Sequence, residues 1–245
     1  MIEVINVNKM FKIPHEKRKT LFHYLMSITT KTPMMYESFW ALKDINFTVK
    51  EGEFIGIIGE NGSGKTTLIK IIADIINPTE GKVITNGKMI PFLELGFGFN
   101  GELSAKENIY LYGMIMGIKK NDINKDIRDV LDFAELNKFQ DMQVKKFSSG
   151  MQMRLAFSTA ILTNPDILLV DEVLAVGDIK FQEKCYKVFE EFKKMKKTII
   201  LVSHDLNLIK RFCDKTLLLE KGKQIIFDNT DDVIKTYIKR QNENI

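Results

Sequence analysis

Cysteine is scarce in this chain. Cys185 and Cys213 stand apart from each other and from the three histidines, which excludes a CxxC pair or a zinc framework and leaves reduced thiols in packing positions. Apolar residues never run on for the roughly 18 positions a membrane span needs. The opening MIEVINVNKMF lacks the basic-then-apolar order of a secretory signal, so a chain made and kept in the cytosol is expected. Neither sign of charge dominates. The net charge of +4 is spread over HEKRK (15–19), IKK (118–120) and KKMKK (193–197), runs that read as solvated faces and do not decide between lipid, nucleic acid or no partner. Repeats and low-complexity segments are also missing. With 245 residues, 44% of them hydrophobic, the chain can bury a full core and suits one compact unit with a subdomain.

Against these absences stands GENGSGKTT, residues 59–67. Before it FIGIIG (54–59) is apolar throughout, as a parallel strand covered on both faces would be. After it Leu68, Ile69, Ile72 and Ile76 recur at helical spacing until Asn77-Pro78 stops the run. Strand, glycine loop and helix form the setting in which such a loop binds phosphate rather than merely turning. Gly59, Gly62, Gly64, Lys65 and Thr66 fit G-x-x-x-x-G-K-[ST]. The glycines let backbone N–H groups turn inward around phosphate oxygens, the lysine reaches the β and γ groups, and the hydroxyl holds Mg²⁺. Glu60, Asn61, Ser63 and Thr67 complete this candidate loop.

A partner is needed on a neighbouring strand, and ILLVDE (167–172) supplies it. Asp171 would hold Mg²⁺ through water, and Glu172 would polarise the attacking water; a turn or helix cap is the bland alternative for two adjacent acids. In FSSGMQMR (147–154) a helix starts at Ser148, with Ser149 and Gly150 in its first turn. That end makes a second anion site, where the bland alternative is an ordinary N-cap. AVGD (175–178) brings Asp178, and TIILVSH brings His204 to a strand end, where ligands of α/β sheets gather. His204 is thereby poised for a γ-phosphate.

Strands are expected in MIEVINV, DINFTV (44–49), residues 82–93 around Asn86-Gly87, 166–170, 198–203 and 216–220. Helices are expected in AKENIYLYGMIMGI, NDINKDIRDVLDFAEL, from Ser148 to Leu162, between 170 and 198, and as a polar helix from about 231. The result is an α/β core with a helical subdomain set into it. Residues 12–40, basic, aromatic and weakly periodic, read as an overlong connector and so as a segment with a function.

The ordered set GENGSGKTT, FSSGM, ILLVDE, AVGD and SHD resembles the nucleotide-binding subunits of ABC transporters along essentially the whole chain. FLELGFGFNGELSAKENI (92–109), SSGM and DEVLAVGD are similar to the polysaccharide-export branch, which moves lipid-linked O-antigen, capsule or teichoic acid chains out of the bacterial cytoplasm. The resemblance implies a P-loop NTPase (RecA-like) core with a mainly parallel sheet, an antiparallel β subdomain and an inserted α-helical subdomain. Residues 1–95 and 164–230 would form the core, 96–163 the helical subdomain and 231–245 a C-terminal helix or tail, with no C-terminal carbohydrate-binding domain. It implies ATP hydrolysis with Mg²⁺ and a homodimer sandwiching two ATP molecules head to tail, so that Ser148 and Gly150 of one copy cap the γ-phosphate held by Lys65 of the other. It further implies a pair of integral membrane permease subunits, a lipid-linked polysaccharide as substrate, no nucleic acid, and a peripheral place on the cytoplasmic face of the inner membrane. Adenine would stack on Phe11, with His15 as second choice, and Phe97, Phe99 and Tyr110 would lie near the permease contact. Two departures stand out: Ser149 and Met151 replace a glycine and a glutamine of the usual signature, and no glutamine fills the Q-loop, where Glu94 is the nearest polar candidate for the metal. A teichoic acid or other polyol-phosphate cargo is the first alternative, and a soluble ABC-type ATPase the second.

Overall fold

The computed structural model describes residues 1–14, 36–92, 98–171 and 178–243. In the first half of the chain come β1 (Ile2–Pro14), β2 (Tyr36–Val49), β3 (Phe54–Ile58), α1 (Lys65–Ile72), β4 (Glu80–Thr85), β5 (Met89–Phe92), α2 (Ala105–Ile115) and α3 (Lys120–Ala134). The second half holds α4 (Ser149–Leu162), β6 (Ile167–Asp171), α5 (Ile179–Lys194), β7 (Thr198–Val202), α6 (Leu206–Phe212), β8 (Lys215–Glu220), β9 (Lys223–Asn229) and α7 (Thr230–Glu243). Every residue of β3, β6 and β7 is buried, which is what their unbroken apolar runs require of parallel strands with helices on both faces.

The described strands form one nine-stranded sheet in the order β4-β1-β2-β9-β8-β3-β7-β6-β5. Strands β8, β3, β7, β6 and β5 pair in parallel. The β1–β2, β1–β4 and β8–β9 pairs are antiparallel. The fold is therefore the expected P-loop architecture, a parallel core with an antiparallel part on one side. Although β4 and β5 end the order on opposite sides, only residues 86–88 join them. Such a link spans at most about 14 Å, so the sheet curls until its two edges stand close.

Alternation along the strands divides the core. Ile55 and Ile57 face α1 with Leu68, Ile69, Ile71 and Ile72, together with Val7, Leu42 and Ile45 of the antiparallel part. Phe54 and Ile58 point the other way, toward Phe157 of α4, Phe189 of α5 and Phe212 of α6. A third cluster, built from α2, α3 and the inward side of α4, gives the helical part its own core. Cys185 and Cys213 are free and buried. Burial pushes the Cys185 thiol up to about 12 and Cys213 higher still, which fits inert packing thiols.

The structure corrects the connector. Residues 12–14 and 36–40 are strand, not loop: β1 and β2 run on as a paired arm to Pro14 opposite Tyr36. The three register irregularities lie between Val4 and Met10, ahead of this stretch, and residues 36–39 are exposed, so no buried face imposes an alternation on them. Of the suspected segment, residues 15–35, with the HEKRK run and His15, lie outside the described residues. Strand β9 and helix α6 were not expected, since β9 is half-buried without clean alternation and α6 has only seven residues.

Candidate functional site

In the register of the parallel core, Ile57 pairs with Val202 and Val202 with Asp171. One row across β3, β7 and β6 thus ends, at its carboxyl side, in the glycine loop, His204 and Asp171. With strands about 4.8 Å apart, Asp171 lies about 10 Å across from β3. That is the crevice outside the strand ends where open α/β sheets bind ligands.

The glycine loop is braced from below and open above. Gly64, at φ 103°, ends the loop, and a Cβ there would stand 2.7 Å from the Ala41 carbonyl oxygen and 2.8 Å from Leu42. Only glycine lets the loop lie this tightly on β2. Gly62, at φ 77°, has nothing within 4 Å of such a Cβ, so that side is free for a ligand. No side chain caps the first turn of α1, which leaves the positive end of its dipole facing the loop interior. Lys65 is buried, and its Nζ donates to the carbonyl oxygens of Gly59 (2.9 Å) and Glu60 (3.0 Å), which holds the ammonium inside the loop.

Ser63 offers a direct test of fit. Its hydroxyl is buried and makes no hydrogen bond, an orphan donor inside a cationic, glycine-walled loop. Phosphate oxygens are the partner these groups suit. The candidate donors for Mg²⁺ are Asp171, buried at the end of β6, and the exposed Thr66. Among the described residues no cluster of three or more His, Cys, Asp or Glu could hold a metal alone. One carboxylate and one hydroxyl with phosphate and water is the kind of shell Mg²⁺ prefers.

His204 is exposed two residues beyond Val202, and its neighbour Asp205 caps α6 through Asn207 N–H (2.8 Å) and Leu208 N–H (3.3 Å). Ser148 caps α4, its Oγ accepting from Met151 N–H at 3.2 Å, and both Ser148 and Ser149 face solvent. At Gly150 a Cβ would meet nothing closer than the Ser148 Oγ at 4.0 Å. Asp178 has structural work: Oδ1 accepts from Phe181 N–H (2.9 Å) at the start of α5, and Oδ2 lies 3.8 Å from Arg154 of α4.

Sequence reasoning missed the hub around Arg154. Its guanidinium also lies 3.6 Å from Glu135, which receives Lys184 at 2.6 Å and Lys180 at 3.4 Å. The Lys184 hydrogen bond holds the Glu135 carboxyl below its usual range. Glu135 closes α3 in the left-handed region, at φ 59°, and no motif marks it. It ties α3 to α4 and α5.

Phe11 is on the β1–β2 arm, exposed, with Lys9 Nζ 5.1 Å from its ring centre. Phe99 is half-buried and meets Tyr112 edge-on at 6.0 Å, while Tyr110 packs half-buried on the helical core. Burial pushes the Tyr112 hydroxyl up to about 12. Glu172, Glu94 and Phe97 lie outside the described residues.

The family described as ABC transporter matches residues 42–175. The O-antigen export system ATP-binding protein RfbB of Klebsiella pneumoniae is 42% identical over 80% of this chain and 80% of its own length. The teichoic acids export ATP-binding protein TagH of Listeria monocytogenes serotype 4b is 40% identical over 84% of this chain and 64% of its own. Among solved structures, the dimeric ATP-binding cassette MJ0796 in a post-hydrolysis state bound to ADP and Pi superposes with a TM-score of 0.76 at 26% identity, covering 94% of this chain and 99% of that one. Since the family spans more than half of its length and its glycine loop is shaped for phosphate, the chain belongs to the ABC transporter family, as an ATP-binding subunit whose ATP hydrolysis is coupled to transport.

Proposed function

We propose that this ATPase drives export of a lipid-linked polysaccharide, of O-antigen or capsule type, across the inner membrane of a bacterium. The observation that carries the cargo is the likeness, over four fifths of the chain, to a protein named for O-antigen export. The likeness to a teichoic acid exporter supports a polyol-phosphate chain as the second reading. A soluble ABC-type ATPase is the third.

In this reading two copies bind head to tail, with Ser148, Ser149 and Gly150 of one completing the site at Lys65 of the other. The support is the contrast between a buried Lys65 and a solvent-facing Ser148 cap. Residues 59–67 hold the phosphates, and Ser63 gains its missing partner. Thr66 and Asp171, with Glu94 as a third candidate, would hold Mg²⁺, which when bound screens the phosphate charge. Glu172 takes the proton from the attacking water, and His204 donates to the γ-phosphate. Asp178 borders the shared site, and Phe11 stacks on adenine. This division of labour suits phosphoryl transfer, which depends on positioning and charge neutralisation more than on covalent chemistry.

Among the described residues no helix is long and apolar enough to cross a membrane. The likeness to ATP-binding proteins named for export systems supports a peripheral place on the cytoplasmic face, held by a pair of permease subunits. Met114 and Ile115, 54% and 59% exposed at the end of α2, support a covered surface there beside Tyr110. Residues 1–95 and 164–230 act as the core, 96–163 as the helical part that meets the permease, and 231–245 as a C-terminal element. Restoring the chain to a strain lacking its gene should restore surface polymer, and the chain should copurify with a multi-span membrane protein. Failure of both would leave the soluble ATPase in place of the transporter subunit.

A further inference from the structure

We propose that Phe39 belongs to the nucleotide site and, with Phe11, forms a two-ring platform for the purine base of ATP. The inference rests on reading residues 59–67 as the phosphate cradle, and it adds a residue of β2 to a base contact otherwise placed on β1 alone.

Register carries the argument. Lys9 pairs with Leu42, Met10 with Trp40 and Phe11 with Phe39. Directly opposed residues of an antiparallel pair share a face, and neighbours along a strand alternate. The register slips by one residue at Ala41, between the Lys9–Leu42 and Met10–Trp40 pairs, so Leu42 and Phe39, three apart on β2, both lie on the face of Lys9 and Phe11, with Met10 and Trp40 on the other. The first face is the one toward α1 and the glycine loop. Leu42 stands 2.8 Å from where a Gly64 Cβ would be, and Lys9 Nζ donates to the Asn77 carbonyl just past α1 (2.7 Å) while resting over the Phe11 ring.

Distance fits as well. Phe39 is two residues beyond Ala41, whose carbonyl braces Gly64, so the rings begin about 7 Å along the strand from the loop. A ribose and the α-phosphate fill such a gap. Neither ring is core: Phe11 is 39% and Phe39 50% exposed. Two opposed aromatics facing solvent cost hydration, and the flat, apolar face of a purine beside its own phosphate site is the surface that relieves it.

The test compares MgATP with magnesium tripolyphosphate, which has the phosphates and no base, by calorimetry on the full chain. Phe39→Ala should weaken ATP about tenfold, the loss of one stacking partner, and leave tripolyphosphate unchanged. Phe39→Tyr should restore ATP, and Trp40→Phe, on the opposite face, should bind both as the unmodified chain does. Photolabelling with 8-azido-ATP should mark the tryptic peptide ending at Lys43. The proposal is overturned if Phe39→Ala binds ATP normally, if it loses tripolyphosphate in equal measure, or if Trp40→Phe does the same damage. If the unmodified chain binds neither ligand, the phosphate-cradle reading itself fails.

Discussion

Two helix N-termini in this protein carry serine and glycine, and they are built in opposite ways. The start of α1 is walled in: Lys65 is buried, Gly64 lies on β2, and Ser63 keeps a buried hydroxyl without a bond. The start of α4 is bare: Ser148 and Ser149 face water, and Gly150 has open space around it. Both offer free N–H groups and a positive dipole end, but only the first excludes enough water to hold an anion tightly. An exposed anion site becomes useful when a second surface closes over it. That difference is what the proposed head-to-tail pair requires, a site on one copy and a lid from the other.

The largest effect is expected at the proposed general base. Glu172→Gln should slow hydrolysis by about 10²–10⁴-fold while ATP still binds, measured by phosphate release against nucleotide affinity. Wild-type turnover would take Glu172 out of the base role. Ser148→Arg probes the bare side: hydrolysis should fall by roughly 100-fold, the scale of one lost transition-state donor, with ATP affinity of the monomer unchanged. Mixed with Lys65→Ala subunits it should regain activity, since in a heterodimer both lesions fall on one site. A drop in the monomer's own affinity would break the comparison, because it would put Ser148 in its own chain's site.

Alanine at the two glycines sharpens the contrast in stability. Gly64→Ala should cost about 1–3 kcal/mol, from the left-handed backbone and the close Ala41 carbonyl, and lower Tm by about 2–4 °C per kcal/mol. Gly150→Ala should leave Tm unchanged or slightly raised while still impairing hydrolysis, because the added methyl would stand where the other copy's nucleotide approaches. Equal losses of Tm would show the bare end to be as tightly packed as the walled one.

The smallest effect concerns the hub behind α4. The folded carboxyl of Glu135 titrates below its usual value because of Lys184 and Lys180, so its contribution is present above about pH 4.5 and lost as pH falls through the lower folded value. Glu135→Gln should therefore lower Tm slightly at pH 7, and the difference should vanish in acid. A difference that persists at low pH would mean that packing, not charge, holds the hub.

Reading the sequence reached the glycine loop, the strand that ends in Asp171 and the three helices of the insert, because each has a local signal: a motif, an unbroken apolar run or a 3.6-residue period. It did not reach what depends on residues far apart. The outer part of the β1–β2 arm is exposed, so no buried face imposes the alternation a strand is recognised by. The Ala41 and Leu42 brace under Gly64 is an ordinary apolar pair until the loop is laid on it. Glu135 and Arg154 are surface charges in the sequence, and only the packing of α3, α4 and α5 makes them partners. Asp178 was chosen for its motif, and its capping bond to Phe181 could be known only once α5 was seen to begin there.

The short link between β4 and β5 bears on how the molecule comes apart. Asn86 N–H donates to the Met1 carbonyl (2.9 Å) at the start of β1, while Lys88 N–H donates to the Asp166 carboxylate (2.9 Å) and Asp166 N–H to the Lys88 carbonyl (2.9 Å) at the start of β6. One turn is thereby stitched to the antiparallel strands on one side and to the parallel strands on the other. The two halves of the sheet cannot part without tearing those bonds, so any separation of the halves must open this turn, and the amide protons of Asn86 and Lys88 should exchange more slowly than unbonded surface amides.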